Sequence, residues 1–121
     1  MWYQGVVLQG QQTGRAIGFP TVNLDPSIIP VDTKKWVYKA VVKYDGKEYV
    51  GALYFGPRLV RNETQDVLEI HIIGLSESLY GKTIQFIIKE YIREVRNLGS
   101  FELLKKQLQE DIQKISAITS S

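Results

Sequence analysis

With 121 residues, 44% of them hydrophobic and 23% charged, the chain is sized for one globular domain with a core of its own and is not composed for long disordered tracts. The absence of cysteine excludes disulfides, thiolate metal sites and a cysteine nucleophile, and the single histidine, His71, excludes a histidine-rich zinc site. A formal net charge of +2, with Lys34-Lys35, Arg58, Arg61 and Lys105-Lys106 scattered among acids, is too weak for a polyanion surface, so no nucleic-acid partner is expected.

The N-terminal residues Met1-Trp2-Tyr3-Gln4-Gly5 lack the basic-then-apolar order of a secretion signal, and no apolar run reaches the roughly 20 residues of a membrane span. No membrane partner and a cytoplasmic location are therefore expected. Tyr3 to Leu8 reads as a first strand, and Gln9 to Thr13 as a polar turn into the stretch Gly14 to Asn23. Asp25 to Lys35, interrupted by Pro26 and Pro30, is expected to be an irregular surface loop. Val37 to Tyr44 alternates, with Tyr38, Ala40, Val42 and Tyr44 on one face and Lys39 and Lys43 on the other. The Asp45-Gly46 pair that follows signals a two-residue hairpin returning through Glu48 to Phe55. Gly56 to Asp66 reads as a crossing loop, Val67 to Ile73 as a strand and Leu75 to Lys82 as a turn. Thr83 to Arg93 is a long strand whose Ile84, Phe86, Ile88 and Ile92 share a face. From Ser100 the period changes: Phe101, Leu104, Leu108, Ile112, Ile115 and Ile118 step by three and four, one apolar stripe of a helix capped by Ser100.

No helical crossovers separate these strands, so the expected fold is mainly β. It is a small antiparallel, Greek-key-like, six-stranded β-barrel over about residues 3–93 with one C-terminal α-helix over about 100–118, a single domain spanning 1–121. A P-loop has no support, because Gly81-Lys82-Thr83 opens a strand and has Ser76 where the motif needs glycine. No Gly-x-Gly-x-x-Gly occurs either.

Gly14 to Asn23 concentrates the candidate chemistry. Gly14 and Gly18 can take backbone angles closed to other residues, so their amides can turn toward an anion, and Arg15 adds a permanent cation; these are the parts of a phosphate cradle. Pro20 directs the chain into an extended form that puts Thr21 and Asn23 on one face, and two neutral oxygens beside phosphates suit Mg²⁺. A plain polar loop has the same composition, and spacing alone does not choose between them. In Leu68-Glu69-Ile70-His71-Ile72, Glu69 and His71 share one face of an otherwise apolar strand, where a carboxylate is costly to bury unless it is paired or used. A lysine or arginine partner, or a solvated face, accounts for Glu69 equally well, and His71 is read as a structural side chain without a catalytic role.

The order Gly14-Arg15-x-x-Gly18-Phe19-Pro20-Thr21-x-Asn23 closely resembles the signature of the riboflavin kinases, or flavokinases. The resemblance extends to Gly5-Val6-Val7 with Gly10, Val37-Tyr38, Asp45-Gly46-Lys47, Gly51, Glu69-Ile70-His71 and Leu79-Tyr80-Gly81-Lys82. It also covers the closing Tyr91-Ile92-Arg93-Glu94 with Ser100-Phe101-Glu102-Leu103-Leu104, Gln107-Leu108 and Asp111. It implies transfer of the ATP γ-phosphate to the ribityl 5′-hydroxyl of riboflavin, giving FMN and ADP, with Mg²⁺. By the same resemblance Glu69 is the catalytic base, Gly14, Arg15, Gly18, Pro20 and Thr21 hold the ATP phosphates, and Thr21 with Asn23 holds the metal. Arg93 is implied to contact the isoalloxazine, with an exposed salt bridge to Glu90 or Glu94 as its plainer alternative.

Three departures bear on the pocket walls: Trp36 stands where the family usually has glycine, Tyr54-Phe55-Gly56-Pro57-Arg58 with Leu59-Val60 replaces a stretch normally ending Arg-Pro-Thr, and Leu98 replaces a usual phenylalanine. They keep a flavin-binding module with little or no turnover as a rival reading, and an interaction-only barrel as a third. In many bacteria the family module is the second half of a bifunctional FAD synthetase, so a free-standing kinase and an excised domain both fit this chain.

Overall fold

The computed structural model describes residues 1–9, 18–57, 65–95 and 100–119. Among them, six strands form one sheet: β1 (Tyr3–Val6), β2 (Val22–Leu24), β3 (Trp36–Tyr44), β4 (Lys47–Pro57), β5 (Asp66–Ile72) and β6 (Thr83–Glu94). Their order is β1-β6-β3-β4-β5-β2 and every pairing is antiparallel. The two outermost strands approach each other: Leu8, just past β1, donates its amide to the Asn23 carbonyl at 2.7 Å. That bridge brings the sheet round into a nearly closed barrel. Alternation fills it, with Ala40 and Val42 of β3, Leu53 and Phe55 of β4, Leu68 and Ile70 of β5, and Ile84 and Phe86 of β6 buried in one cluster.

The hairpin between β3 and β4 follows from its two turn residues. Asp45 and Gly46 both take positive φ, 52° and 76°, the combination whose twist matches that of the flanking strands, and it sets Tyr44 opposite Lys47. The proline-bearing segment is more ordered than its composition implies. Asp25 accepts a bond from the Ser27 amide at 2.9 Å, and Pro26, whose fixed φ and missing N–H suit a first helical position, opens a single 3₁₀ turn over Pro26–Ile28. The same amide bond holds the Asp25 carboxyl below its ordinary pKa. Ile29 then drops into the core.

A second difference lies in β6. Its register against β3 slips twice: one slip, between Ile88 opposite Ala40 and Tyr91 opposite Tyr38, turns the pleat over before Ile92, and the second, between Tyr91 and Arg93 opposite Val37, falls at Ile92 itself. Ile84, Phe86 and Ile88 therefore pack inside the barrel, while Ile92, expected on the same face, belongs to the outer cluster with Val37, Ala52 and Ile115.

That outer cluster is where the helix α1 (Phe101–Thr119) sits. Ser100 caps it as expected, its Oγ accepting from the Leu103 amide at 3.2 Å. Ile115 is fully buried, and one turn before it Asp111, 2% exposed, meets Arg93 of β6, 6% exposed. Arg93 Nε donates to Asp111 Oδ1 at 2.8 Å and Nη2 to Oδ2 at 2.9 Å, a two-pronged geometry, and Gln107 Nε2 adds a bond to Oδ1 at 3.1 Å. Lys114 Nζ also donates to the Ile92 carbonyl at 2.9 Å. Polar groups thus bolt an amphipathic helix to a barrel face. Among the described residues no helix is long and apolar enough to cross a membrane.

Asp111→Ala leaves the Arg93 guanidinium uncompensated in the interior, and urea denaturation is expected to show a loss of about 3–5 kcal/mol. Glu90→Ala, which removes a 3.9 Å pair with Lys39 whose carboxylate is half exposed, should change stability by less than about 1 kcal/mol. Equal effects from the two substitutions would remove the helix anchor from this account.

Candidate functional site

The site is assembled where the barrel closes. Gly18 holds φ at +90°, and among the described residues nothing lies within 4 Å of where a Cβ would stand, so the backbone angle is what this glycine serves there. Phe19 sets its ring edge-on to His71, centroids 5.6 Å apart at 74°. The next residue, Pro20, offers its carbonyl to His71 Nδ1 at 2.8 Å. A carbonyl can only accept, so Nδ1 carries the proton.

Strand β2 then pairs with β5 so that Asn23 stands directly opposite Glu69. The same position continues across the sheet: Glu69 is opposite Tyr54 of β4, Tyr54 opposite Val37 of β3, and Val37 opposite Arg93 of β6. Directly opposed residues share a face with Cβ atoms about 5 Å apart, so Asn23 and Glu69 are immediate neighbours. Three strand spacings of about 4.8 Å separate Glu69 from Arg93, roughly 14 Å in all. Glu69 is half-buried on the outer face, and the Tyr54 hydroxyl beside it donates to the Pro57 carbonyl.

A cavity of about 150 Å³ opens on the other side of this seam, between β1, β2, β5 and the segment 75–80. Thr21 and Asn23 line it together with Leu8, Leu75, Ser78 and Tyr80. Ile70 lines it too, so β5 turns Ile70 to the cavity side and Glu69 to the outer face, and Asn23 joins the two regions. Among the described residues no group of three or more His, Asp and Glu could enclose a metal. The hydroxyl of Thr21 and the amide oxygen of Asn23, neutral and hard, with a carboxylate adjacent, instead fit Mg²⁺ that draws its other ligands from phosphate and water.

Of the residues singled out in the sequence, Gly18, Pro20, Thr21, Asn23 and Glu69 come together here. Gly14 and Arg15 lie outside the described residues, as do Arg58, Leu59, Val60 and Leu98. Arg93 is not at the open end of the row. Its guanidinium pairs with the Asp111 carboxylate of the helix, and Nη1 also donates to the Glu94 backbone carbonyl at 3.1 Å; neither the Glu90 nor the Glu94 carboxylate is its partner. Trp36, opposite Glu94, packs against Tyr91 at 4.5 Å and Tyr38 at 5.9 Å. The contact that the sequence reading missed is His71 to Pro20, across 51 positions. Its one visible signal was the shared face of Glu69 and His71.

Comparison with known proteins agrees with this architecture. The sequence model of the flavokinase family, described as riboflavin kinase, matches residues 1–119. The RNA-binding riboflavin kinase RibR of Bacillus subtilis is 33% identical over 109 residues, covering 89% of this chain and 46% of that protein. A crystal structure described as a macrolide-efflux protein from Streptococcus pneumoniae superposes with a TM-score of 0.76 at 25% identity, over 93% of this chain and 37% of that one. The riboflavin kinase of Trypanosoma brucei shares the fold at a TM-score of 0.66 and 19% identity, over 99% of this chain and 80% of that one. The chain spans less than half the length of the curated relatives it matches.

Strand β5, which carries Glu69 and His71, lies close against Gly51 of β4. A Cβ there would stand 2.7 Å from Ile70 Cγ2 and 3.1 Å from the His71 carbonyl oxygen. Gly51→Ala is expected to push β5 outward and lower stability by about 1–3 kcal/mol in chemical denaturation. A gain of the about 0.5–1 kcal/mol usual for alanine over glycine in an open strand would show that β5 does not press on this position.

Proposed function

Because the chain belongs to the flavokinase family, we propose that it is an ATP-dependent riboflavin kinase, converting riboflavin and ATP to FMN and ADP. The observation that carries this reading is the register that sets Asn23 opposite Glu69. Phosphoryl transfer to an alcohol needs a proton acceptor next to an oxygen-rich metal site, and little covalent chemistry beyond that. Here both stand on adjacent strands of one face.

In this reading the ribityl 5′-hydroxyl lies within hydrogen-bond reach of Glu69. The carboxylate accepts the hydroxyl proton as that oxygen bonds to the γ-phosphorus, and the bond from phosphorus to the β,γ-bridging oxygen breaks to release ADP. Thr21 and Asn23 hold Mg²⁺, which when bound neutralises charge on the phosphates during transfer. Backbone amides and the cation of the Gly14 to Gly18 segment supply the remaining phosphate contacts, as the family signature implies. The cavity beside Thr21 and Asn23, walled by Leu8, Leu75, Ser78 and Tyr80, would take part of the nucleotide next to these ligands. Arg93 contributes at a distance: held by Asp111, it keeps the helix on the sheet beside Tyr54.

Purified protein incubated with riboflavin, ATP and Mg²⁺ should form FMN, separable by chromatography. Glu69→Gln keeps the shape of the side chain but not its basicity and should slow the reaction by about 10²- to 10⁴-fold. Flavin binding without FMN formation by the wild type would identify a binding module and end the kinase reading.

A further inference from the structure

The family reading gives His71 no task, yet the imidazole is hydrogen-bonded to the Pro20 carbonyl and edge-on to the Phe19 ring. We propose that His71 is a positioning residue for the nucleotide and metal end: its Nδ1–H holds the Pro20 carbonyl and so fixes how Thr21 and Asn23 are presented beside Glu69. The inference rests on the role given above to Thr21 and Asn23.

The argument is one of counting soft torsions. Pro20 has its φ locked by the pyrrolidine ring, so the direction of its carbonyl is the one torsion left, and the 2.8 Å bond to His71 fixes it. Fixing that carbonyl fixes the plane of the peptide leading into Thr21. Phe19 is restricted as well, because a residue preceding proline is driven to extended angles, and its ring rests edge-on against the same imidazole. At the other end, Asn23 is pinned by its pairing with Glu69 and by the Leu8 amide on its carbonyl. Thr21 lies between two fixed points.

Geometry also explains why the clamp comes from β5. Residues two apart on a strand share a face, so the strand that carries Glu69 carries the imidazole on the same side. The base and the peptide that presents the metal ligands are thereby referenced to one strand, and a shift of β5 moves both together. The bond needs only a donor at the Nδ1 position. Asparagine places its amide nitrogen the same number of bonds from the backbone as Nδ1, whereas glutamine places it one bond further out. This sets up a test that a purely packing role would fail.

The probes are MgADP binding by titration calorimetry, riboflavin binding by fluorescence, and amide hydrogen exchange across residues 21–24. His71→Ala and His71→Gln should weaken MgADP by about 10- to 100-fold, the range for loss of a group that orients a metal ligand, and should speed exchange in that segment. Riboflavin affinity should stay within about twofold. His71→Asn should restore both MgADP affinity and slow exchange although it removes the ring. Unchanged exchange in His71→Ala would overturn the clamp, and an asparagine variant as impaired as alanine would transfer the effect to ring packing and overturn it equally. Failure of the wild type to bind MgADP would instead sink the reading of Thr21 and Asn23, while the exchange pattern would still decide whether the clamp exists.

Discussion

A three-residue strand closes this barrel and brings Asn23 to Glu69. Val22–Leu24 is too short to be stable by itself, and it holds its place through the ladder to β5 on one side and the single bridge to Leu8 on the other. The ladder sets Asn23 against Glu69, and the bridge closes the sheet. The same short strand therefore closes the sheet and sets Asn23 beside Glu69. The residues that let β5 come close, above all Gly51 with no side chain to obstruct Ile70, belong to the site as much as the groups that face it.

The outer face divides its work along one cross-strand row. At one end, Asn23 and Glu69 are half-buried and polar; at the other, Arg93 is sealed under the helix by Asp111. Burying a charged pair costs heavily in desolvation and is offset only when the geometry is good, which the two-pronged contact and the added bond from Gln107 supply. Replacing such a pair by well-packed apolar side chains is often neutral or stabilising, whereas removing one partner alone is costly. Apolar packing of Ile115 against Val37, Ala52 and Ile92 gives attraction, and the ion pair gives registration.

Most of the fold was legible because its signals are local. Alternation in β3, the Asp45-Gly46 turn and the three-and-four stripe of the helix are each decided within about ten residues, and each stands where periodicity put it. What was not legible depends on distant partners. Ile92 shares the even spacing of Ile84, Phe86 and Ile88, and only the slip of β6 against β3 between Ile88 and Tyr91 turns it outward. In the site, Thr21 and Asn23 could be named from an extended chain after proline, but nothing near Glu69 in sequence told that Asn23 would face it. His71 reads as a satisfied structural side chain, as its bond to Pro20 bears out, but which group satisfies it, 51 positions away, is invisible locally. For Arg93 the obvious partners were close in sequence, but Glu90 pairs with Lys39 and the guanidinium with a helix carboxylate 18 positions later.

Trp36 shows how a departure from a family pattern is judged by where it falls. An indole in place of glycine threatens a pocket only if its bulk crosses the row that carries the chemistry. Trp36 lies one residue before Val37, so its pleat faces away from that row, and its ring is used against Tyr38 and Tyr91. Aromatic pairs in tilted and edge-on arrangements stabilise by about 0.5–1.5 kcal/mol beyond the area they bury. They do so here where β6 is bulged and its ladder with β3 is irregular. The indole thus packs where the β3–β6 ladder is irregular, and the Asn23–Glu69 pair, on β2 and β5 three and two strands away, keeps its register.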